Sequence, residues 1–301
     1  MKNGDVGSER IYSCSQSKIQ NIMNKSKSSK TQARVWVVED GKMRSRSDYI
    51  TTEEPLEIRL MSPHQTVAIT MRTPGADFEL TAGFLYTEGV ISNRQDIQSL
   101  SYCVDTEIDG EQRLNIVNVE LREDLHPNLQ PLERHFYTSS ACGVCGKASL
   151  EALRLRGIAS IPPEPKVTPE ILYSLPEQLR AAQGIFKATG GLHAAALFDT
   201  QGQLISLRED VGRHNALDKL IGSALLSDRL PLHNHIVMVS GRSSFEILQK
   251  CTVAGVPIIC AVSAPSSLAV SLAREFEVTL IGFLRGKKFN VYSGWERLTL
   301  P

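Results

Sequence analysis

The stretch IVMVSGRSSFEILQKCTVAGVPIICAVSAPSSLAVSLAREFEVTLIGFL, residues 236–284, decides the fold. It contains three apolar runs: Ile236–Val239, Pro257–Val262 and Val278–Leu284. Segments with the apolar spacing of a helix separate these runs and predict helices at Ser244–Val253 and Ser266–Phe276. Continuously apolar strands that alternate with amphipathic helices are typical of a sheet covered on both faces. We therefore expect parallel strands joined by right-handed crossovers.

A hairpin and a further helix are predicted just upstream of this stretch. Ala194–Phe198 and Leu204–Leu207 have strand composition around the turn Asp199–Gly202, and a helix is expected from about Asn215 to Leu226. The order is then β-hairpin, α, β, α, β, α, β, which indicates an α/β domain. Four prolines in residues 157–170 predict the domain boundary, so we assign residues 161–301 to this domain.

Residues 33–160 are predicted to form a smaller N-terminal α+β domain that ends in a Cys-x-x-Cys loop. Its expected strands are Arg34–Val38, Leu56–Leu60, Val67–Met71 and two more around residues 100–122. A helix is expected to begin within Thr73–Asp77 and to stop at Gly89. Residues 1–32 are rich in serine and lysine and poor in large apolar residues, so we predict a disordered tail.

Composition excludes several classes of function. The 33 basic and 33 acidic residues cancel, whereas a general grip on nucleic acid needs a basic surplus. We see no signal peptide after Met1 and no continuous apolar stretch of membrane-spanning length, so we expect a cytoplasmic protein without a membrane partner. In that reducing compartment, paired cysteines favour catalysis or metal binding over a structural disulfide. Cys251 and Cys260 lie in apolar company and are predicted to be structural.

The motif Cys142-Gly143-Val144-Cys145-Gly146 is the candidate for chemistry. Neighbouring glycines leave the sulfurs accessible, and Lys147 together with a predicted downstream helix start favours the nucleophilic thiolate. We interpret the loop as a mobile arm that accepts sulfur as a persulfide and passes it on. Structural zinc lacks a second pair of ligands, and a thioredoxin-like pair lacks the preceding strand, but both alternatives stay open. A cysteine pair in a loop without any chemical function is the third alternative. We therefore assign no metal site.

A phosphate pocket is predicted where strands of the C-terminal domain end beside helix starts. In an open α/β sheet, ligands bind beyond the carboxyl ends of the strands, where helix N-termini offer free N–H groups. The candidate residues are Gly190, Gly191, His193, Arg213, His214, Ser240, Gly241 and Arg242, with the basic strand end Phe283, Leu284, Arg285, Gly286, Lys287 and Lys288. For each turn the alternative is an ordinary capped helix start, and for the basic strand end it is a solvated hairpin.

Several ordered motifs resemble the FdhD family, the formate dehydrogenase accessory sulfurtransferases. The matching stretches are Thr73–Leu85, Cys142–Gly146, Thr189–His193, Asp210–Lys219 and Ser240–Arg242. The resemblance implies a carrier that takes sulfur from a cysteine desulfurase and delivers it to a molybdenum (or tungsten) bis-guanine-dinucleotide cofactor destined for formate dehydrogenase. It also implies a homodimer and a C-terminal three-layer α/β/α domain similar to cytidine deaminases.

Carried over by position, the resemblance makes Cys142 the persulfide-bearing residue and Cys145 its assistant, and it places Phe283–Lys288 in the cofactor-binding segment. The guanine ends of the cofactor suit the predicted phosphate pocket. A non-catalytic chaperone that holds the cofactor and docks the apo-enzyme is the alternative. A zinc deaminase is disfavoured, because the helix starts at His214 and Ser240 lack the glutamate and cysteines of that signature.

Overall fold

The computed structural model describes residues 27–129, 153, 158 and 161–300. Their strands form a six-stranded sheet, a four-stranded sheet and a two-stranded hairpin. The predicted boundary near residue 160 falls among residues that are mostly outside this description, so the division into domains stays a prediction. Within the helix expected after Cys145, Leu153 is described, and it is buried.

The six-stranded sheet has the order β12-β11-β10-β9-β7-β8. Its strands are β7 (His193–Asp199), β8 (Leu204–Asp210), β9 (His235–Val239), β10 (Ile258–Ala261), β11 (Thr279–Arg285) and β12 (Lys288–Ser293). Strands β9, β10 and β11 run parallel, and the β7–β8 hairpin joins them antiparallel through β7. The predicted hairpin and parallel strands are thus confirmed. The basic segment after Leu284 forms a second hairpin, because β12 returns antiparallel along β11.

Helices cover both faces of this sheet, as the apolar strands predict. On one face lie α5 (Arg213–Leu226), α6 (Phe245–Val253) and α7 (Ser267–Glu275), packed on side chains such as Val237 and Ile259. On the other face α3 (Pro169–Ala182) packs on Met238 and Cys260. Successive strand residues point to opposite faces, so both faces of each central strand are apolar. The short helix α4 (Gly184–Thr189) follows α3 directly.

Helix α3 was not predicted, although Thr168-Pro169-Glu170 is a helix-start signal. Pro176 in its middle removes one backbone donor and breaks the expected pattern. Burial of Leu172, Leu175 and Leu179 against the sheet outweighs that loss. Tertiary packing, rather than local sequence pattern, therefore determines that α3 forms and covers this face of the six-stranded sheet.

The four-stranded sheet has the order β4-β3-β6-β5. Its strands are β3 (Glu54–Met61), β4 (His64–Arg72), β5 (Ile97–Tyr102) and β6 (Ile116–Leu121), and a short helix, α2 (Gly110–Arg113), lies between β5 and β6. Helix α1 (Asp77–Glu88) packs on this sheet and ends at Gly89, where φ is 80°. The strands and helix predicted here are confirmed.

Helices α1 and α5 touch backbone to backbone. A Cβ atom added to Gly83 would lie 1.9 Å from the carbonyl oxygen of Asp218, and one added to Gly222 would lie 1.8 Å from that of Glu79. Real Cβ atoms do not approach backbone so closely, so only glycine fits at both positions. This crossing joins the four-stranded sheet to the helical face of the larger sheet.

The first strand begins earlier than predicted, which corrects the end of the proposed 1–32 tail. Strand β1 (Lys30–Glu39) pairs in register with β2 (Lys42–Thr51), a strand that was missed. Asp40 and Gly41 form the two-residue turn with φ of 50° and 72°, as is typical of Asp-Gly hairpins. The cross-strand ladder, with the Lys30 ammonium 4.8 Å from the Tyr49 ring centre, orders this polar segment. Residues 1–26 lie outside the described part.

Candidate functional site

A cavity of about 910 Å³ opens where strands of the large sheet end. The amino end of β7 meets the carboxyl ends of β9 and β11 at this edge, because β7 runs antiparallel to β9. The predicted residues that line it are Gly190, Gly191, His193, Ser240, Leu284, Arg285 and Gly286. The structure therefore brings together, in one cavity, residues that lie almost a hundred positions apart in the chain.

Other predicted residues lie outside the lining of this cavity, so their assignment stays a prediction. Lys287 is exposed in the β11–β12 turn, and Lys288 is exposed at the start of β12. Arg242 is exposed in its own turn, and Phe283 lies beside Arg285 with 5.9 Å between ring centre and guanidinium. In the β11–β12 hairpin Lys287 belongs to the turn, and Lys288 is the first residue of β12, where it pairs with Arg285.

Gly241 lies next to the side chains of both His193 and Arg213. A Cβ atom on Gly241 would lie 3.4 Å from His193 Nδ1 and 3.9 Å from Arg213 Cδ. Burial lowers the pKa of His193, the Arg213 cation lowers it further, and the Asp210 carboxylate acts in the opposite direction. The imidazole is therefore neutral at pH 7 and offers the cavity one donor and one acceptor. Ser240 Oγ accepts the Ala194 N–H at 2.9 Å and fixes the neighbouring strand end.

His214 faces a different cavity, of about 410 Å³, between the four-stranded sheet and helices α5 and α6. Its Nδ1 lies 3.3 Å from the Glu246 carboxylate and its Nε2 lies 3.2 Å from Ser244 Oγ. Burial foremost, and then the cations Arg213 and Lys250, lower the pKa of His214 to about 3. With its pKa lowered in this way, the ring is neutral at pH 7, and the contact with Glu246 is a close approach of a neutral imidazole to a carboxylate rather than an ion pair. The helix geometry aims residues 213 and 214 in different directions, which the sequence alone does not show.

Helix α3 and the α3–α4 turn supply one wall of the larger cavity. Tyr173, Arg180, Gln183 and Phe186 line it, and none of them was predicted. Glu209 holds this wall in place, because its carboxylate accepts the backbone N–H groups of Ile185 at 3.0 Å and Phe186 at 2.8 Å. The signal that could have located the wall is Glu209 itself, a carboxylate in the charged run that precedes α5.

The charged run Asp210–Lys219 serves chiefly to join the two sheets. Asp210 and Lys219 form a buried pair that also binds the backbone of Thr73, ahead of α1. Lys250 lies 3.0 Å from Asp218 and 3.1 Å from Glu88, at the other end of the same helix contact. Burial raises the pKa of Asp218 to about 7, although the neighbouring ammonium of Lys250 opposes the shift. The charged side chains of Asp210, Asp218 and Lys219 therefore pair with groups inside the protein and do not line the larger cavity.

Cys142 and Cys145 lie outside the described residues. Of the described cysteines, Cys251 and Cys260 are fully buried, and burial raises the pKa of each thiol. A buried thiol with a raised pKa is a poor nucleophile, so their predicted structural role is confirmed. In the described parts of the chain no three His, Cys, Asp or Glu side chains converge as a metal site. None of the helices described there is long and apolar enough to cross a membrane.

Comparison with known proteins identifies one family. The model of the FdhD/NarQ family matches residues 51–299. The sulfur carrier protein FdhD of Streptomyces coelicolor is 52% identical over 266 residues, which make up 87% of this chain and 93% of that protein. The protein of the same name from Sulfurisphaera tokodaii is 48% identical over 252 residues, with coverages of 83% and 92%.

A solved structure has the same fold over most of its length. The crystal structure of a formate dehydrogenase accessory protein from Desulfotalea psychrophila superposes with a TM-score of 0.69 at 25% sequence identity. The match covers 90% of this chain and 99% of the other. The mixed α/β architecture described above is thus shared with that protein.

Proposed function

Because this chain belongs to the FdhD/NarQ family, whose model covers residues 51–299, we propose that it carries sulfur by a persulfide on Cys142 during formate dehydrogenase maturation. A sulfur-carrier role follows the names of relatives that are about half identical over most of the chain. The finer steps below are our own inference. They rest on the Cys142–Cys145 motif and on the cavity at the sheet edge.

The first step is proposed to load the carrier. The Cys142 thiolate attacks the outer sulfur of a persulfide on a cysteine desulfurase. The sulfur–sulfur bond of the donor breaks, the donor cysteine leaves as a thiolate, and a new sulfur–sulfur bond forms on Cys142. Electrons balance, because one thiolate replaces another.

The second step is proposed to deliver sulfide to the molybdenum of the bis-guanine-dinucleotide cofactor. Release of the outer sulfur as sulfide requires two electrons. The Cys145 thiolate supplies them by attacking the inner sulfur, which leaves a Cys142–Cys145 disulfide. A cellular dithiol reductant then restores both thiols. This gives Cys145 the assisting role.

The observation that carries the cofactor assignment is the cavity at the sheet edge. Its volume of about 910 Å³ is in the range of small-molecule sites, and it combines apolar walls with a few polar groups. Arg285 and Arg180 are exposed in its lining, where a diphosphate can reach them, and Gly190 and Gly191 permit close backbone approach. We propose that a guanine nucleotide end of the cofactor binds here.

The remaining partners follow from the same proposal. We infer transient complexes with a cysteine desulfurase and with formate dehydrogenase, a cytoplasmic location and a homodimer, and we expect no nucleic-acid partner. We also infer that the C-terminal half is organised as in cytidine deaminases. Because the net charge of the chain is zero, we expect its partner proteins to recognise local surfaces rather than a long-range electrostatic field.

Mass spectrometry tests the carrier proposal directly. After incubation with a cysteine desulfurase and cysteine, the Cys142 peptide should gain about 32 Da, one sulfur atom. Cys142→Ala should carry no such sulfur, whereas the matched variant Cys145→Ala should still load. Undiminished loading of the Cys142→Ala protein would overturn the proposal.

The second candidate is the non-catalytic chaperone, because the described cavity supports binding of the cofactor and by itself indicates no sulfur transfer. The double variant Cys142→Ala, Cys145→Ala separates the two functions in cells that lack the native protein. Loss of formate dehydrogenase activity, with GDP binding retained by the purified variant, favours the carrier. Full activity in those cells favours the chaperone.

A further inference from the structure

The β1–β2 hairpin is a two-stranded sheet that stands apart from both larger sheets. Its ten cross-strand pairs are in register, and it is attached at its base, where Thr51 Oγ1 donates to Thr189 Oγ1 at 2.9 Å. In the described part of the chain, no third strand joins either of its edges. An isolated two-stranded ribbon is marginally stable in water, so a hairpin of this length needs a further contact.

Large apolar side chains are exposed near the tip of this hairpin. Trp36 is 65% exposed, Val38 is 68% exposed and Met43 is 67% exposed. Val38 and Met43 are cross-strand partners, and Trp36 lies two residues from Val38 on the same strand, so all three side chains share one face. Exposed apolar groups that adjoin in this way indicate a surface that another molecule covers.

The two edges of the hairpin differ in how well they are protected. Strand β2 contacts α4 and carries charged side chains along its length, namely Lys42, Arg44, Arg46 and Asp48. Strand β1 instead has an uncharged apolar run at residues 35–38. Charged side chains on an edge strand hinder its pairing with another chain, so β1 is the edge that is open to a further strand.

The charge pattern of β1 indicates that the further strand comes from a second copy of this chain. Arg34 and Glu39 bound the apolar run, so the segment has a cation at one end and an anion at the other. When two such segments pair antiparallel, Arg34 of each copy can lie opposite Glu39 of the other, whereas a parallel pair in register brings like charges together. Glu39 also accepts a hydrogen bond from Arg44 at 2.9 Å within its own hairpin, but a carboxylate has sites for several donors.

We propose that two copies of this chain join by antiparallel pairing of their β1 strands into one four-stranded sheet of order β2-β1-β1-β2. With Arg34 opposite Glu39, Trp36 of each copy lies opposite Val37 of the other, an aromatic and β-branched pair of the kind that stabilises sheets. Two-fold symmetry repeats each contact. At a rise of ~3.3 Å per residue, the two Lys30 residues at the hairpin bases lie ~40 Å apart, so the two bodies do not collide. The contact rests on the proposed function, because it supplies the surface of the homodimer inferred above.

Charge reversal tests this contact by analytical ultracentrifugation of the full chain over a series of concentrations. Arg34→Glu and Glu39→Arg each place like charges at both ends of the paired segment, so each should raise the dissociation constant of the dimer about 10-fold or more. An equimolar mixture of the two variants should restore association, because every pair across the mixed dimer is again of opposite charge. The matched control Arg46→Glu makes the same change of charge on β2 and should associate as wild type does.

A second variant removes the apolar contact without any change of charge. Trp36→Thr keeps a residue of high strand propensity but deletes the exposed ring. Since aromatic anchors dominate protein interfaces, we expect the dissociation constant to rise about 10-fold or more. Circular dichroism checks that each variant is folded. If Trp36→Thr does not fold, the charge variants decide the question, because Arg34 and Glu39 are both exposed.

The outcomes separate the contact from the homodimer itself. If wild type is monomeric at every concentration, the homodimer and the β1 contact both fail. If wild type is dimeric and Arg34→Glu and Trp36→Thr associate equally well, the homodimer stands but β1 is not its surface. Single charge variants that associate weakly, and whose mixture does not regain association, would overturn the pairing of Arg34 with Glu39.

Discussion

The Lys219 ammonium lies 2.7 Å from the Asp210 carboxylate, and both side chains are almost completely buried. Thr73, which precedes α1, bonds to both of them: its N–H donates to Asp210 at 3.1 Å and its carbonyl accepts from Lys219 at 2.7 Å. The pair therefore ties the four-stranded sheet to the start of α5. A buried charge needs such partners, because water is absent.

Removing one member of this pair should destabilise the protein strongly. Lys219→Met leaves the Asp210 carboxylate buried without its cation, and we expect the free energy of unfolding to fall by ~3–5 kcal/mol. Urea denaturation followed by circular dichroism measures the loss. The control Lys166→Met changes an exposed lysine and should differ from wild type by less than ~0.5 kcal/mol. Equal midpoints for the two variants would show that the pair contributes nothing.

Gly83 should not tolerate even a methyl group. Gly83→Ala places a Cβ 1.9 Å from the Asp218 carbonyl oxygen, so α1 and α5 must move apart. We expect a loss of at least ~1–3 kcal/mol. The control Gly110→Ala adds a methyl group that meets no atom within 4 Å and should leave the melting temperature almost unchanged. A wild-type melting temperature for Gly83→Ala would contradict the close crossing.

His214 should make the protein less stable in mild acid. Its pKa is lowered to about 3 in the folded state, whereas the unfolded residue binds a proton near pH 6.5. Between these values the unfolded state holds more protons, so stability falls as the pH falls, by at most ~1.4 kcal/mol per pH unit.

The variant His214→Gln should lack this slope. Asp218, whose pKa is raised to about 7, has the opposite sign because the folded state holds its proton more tightly. Since Asp218, Glu88, Glu246, Arg213 and Lys250 are present in both proteins, the difference between the two stability curves from pH 5 to pH 7 isolates His214. Parallel curves would refute a partly buried imidazole that stays neutral between pH 5 and pH 7.

Arg285 and Arg242 should differ in their effect on nucleotide binding. Both were predicted at the phosphate site and both are exposed, but only Arg285 lines the larger cavity. Arg285→Ala should weaken GDP binding about 10-fold through loss of a charged contact. Arg242→Ala, the matched control, should bind GDP as wild type does in the same calorimetric titration. If Arg242→Ala weakened GDP binding more than Arg285→Ala, the phosphate site would lie at the β9–α6 turn instead.

Strand and helix periodicity was enough to predict most of the large sheet. Ile258–Ala261 is apolar on both faces, and such a run has few alternatives to a central strand. The Asp40-Gly41 turn and the Thr168-Pro169 helix start were also readable signals, yet the polar strand β2 and Pro176 in α3 masked them. Local pattern is weak evidence where exposed polar residues or a proline interrupt it.

The sequence by itself determined the layered α/β architecture, the turns at the strand ends that line the larger cavity, and the motifs that match the family. Only the tertiary structure decided that His214 turns away from that cavity, that Asp210 and Lys219 are internal partners, and that Gln183 lines the wall. The physical reason is that periodicity depends on neighbours along the chain. A binding site depends on side-chain directions at helix ends and on elements that meet only after the sheet has formed.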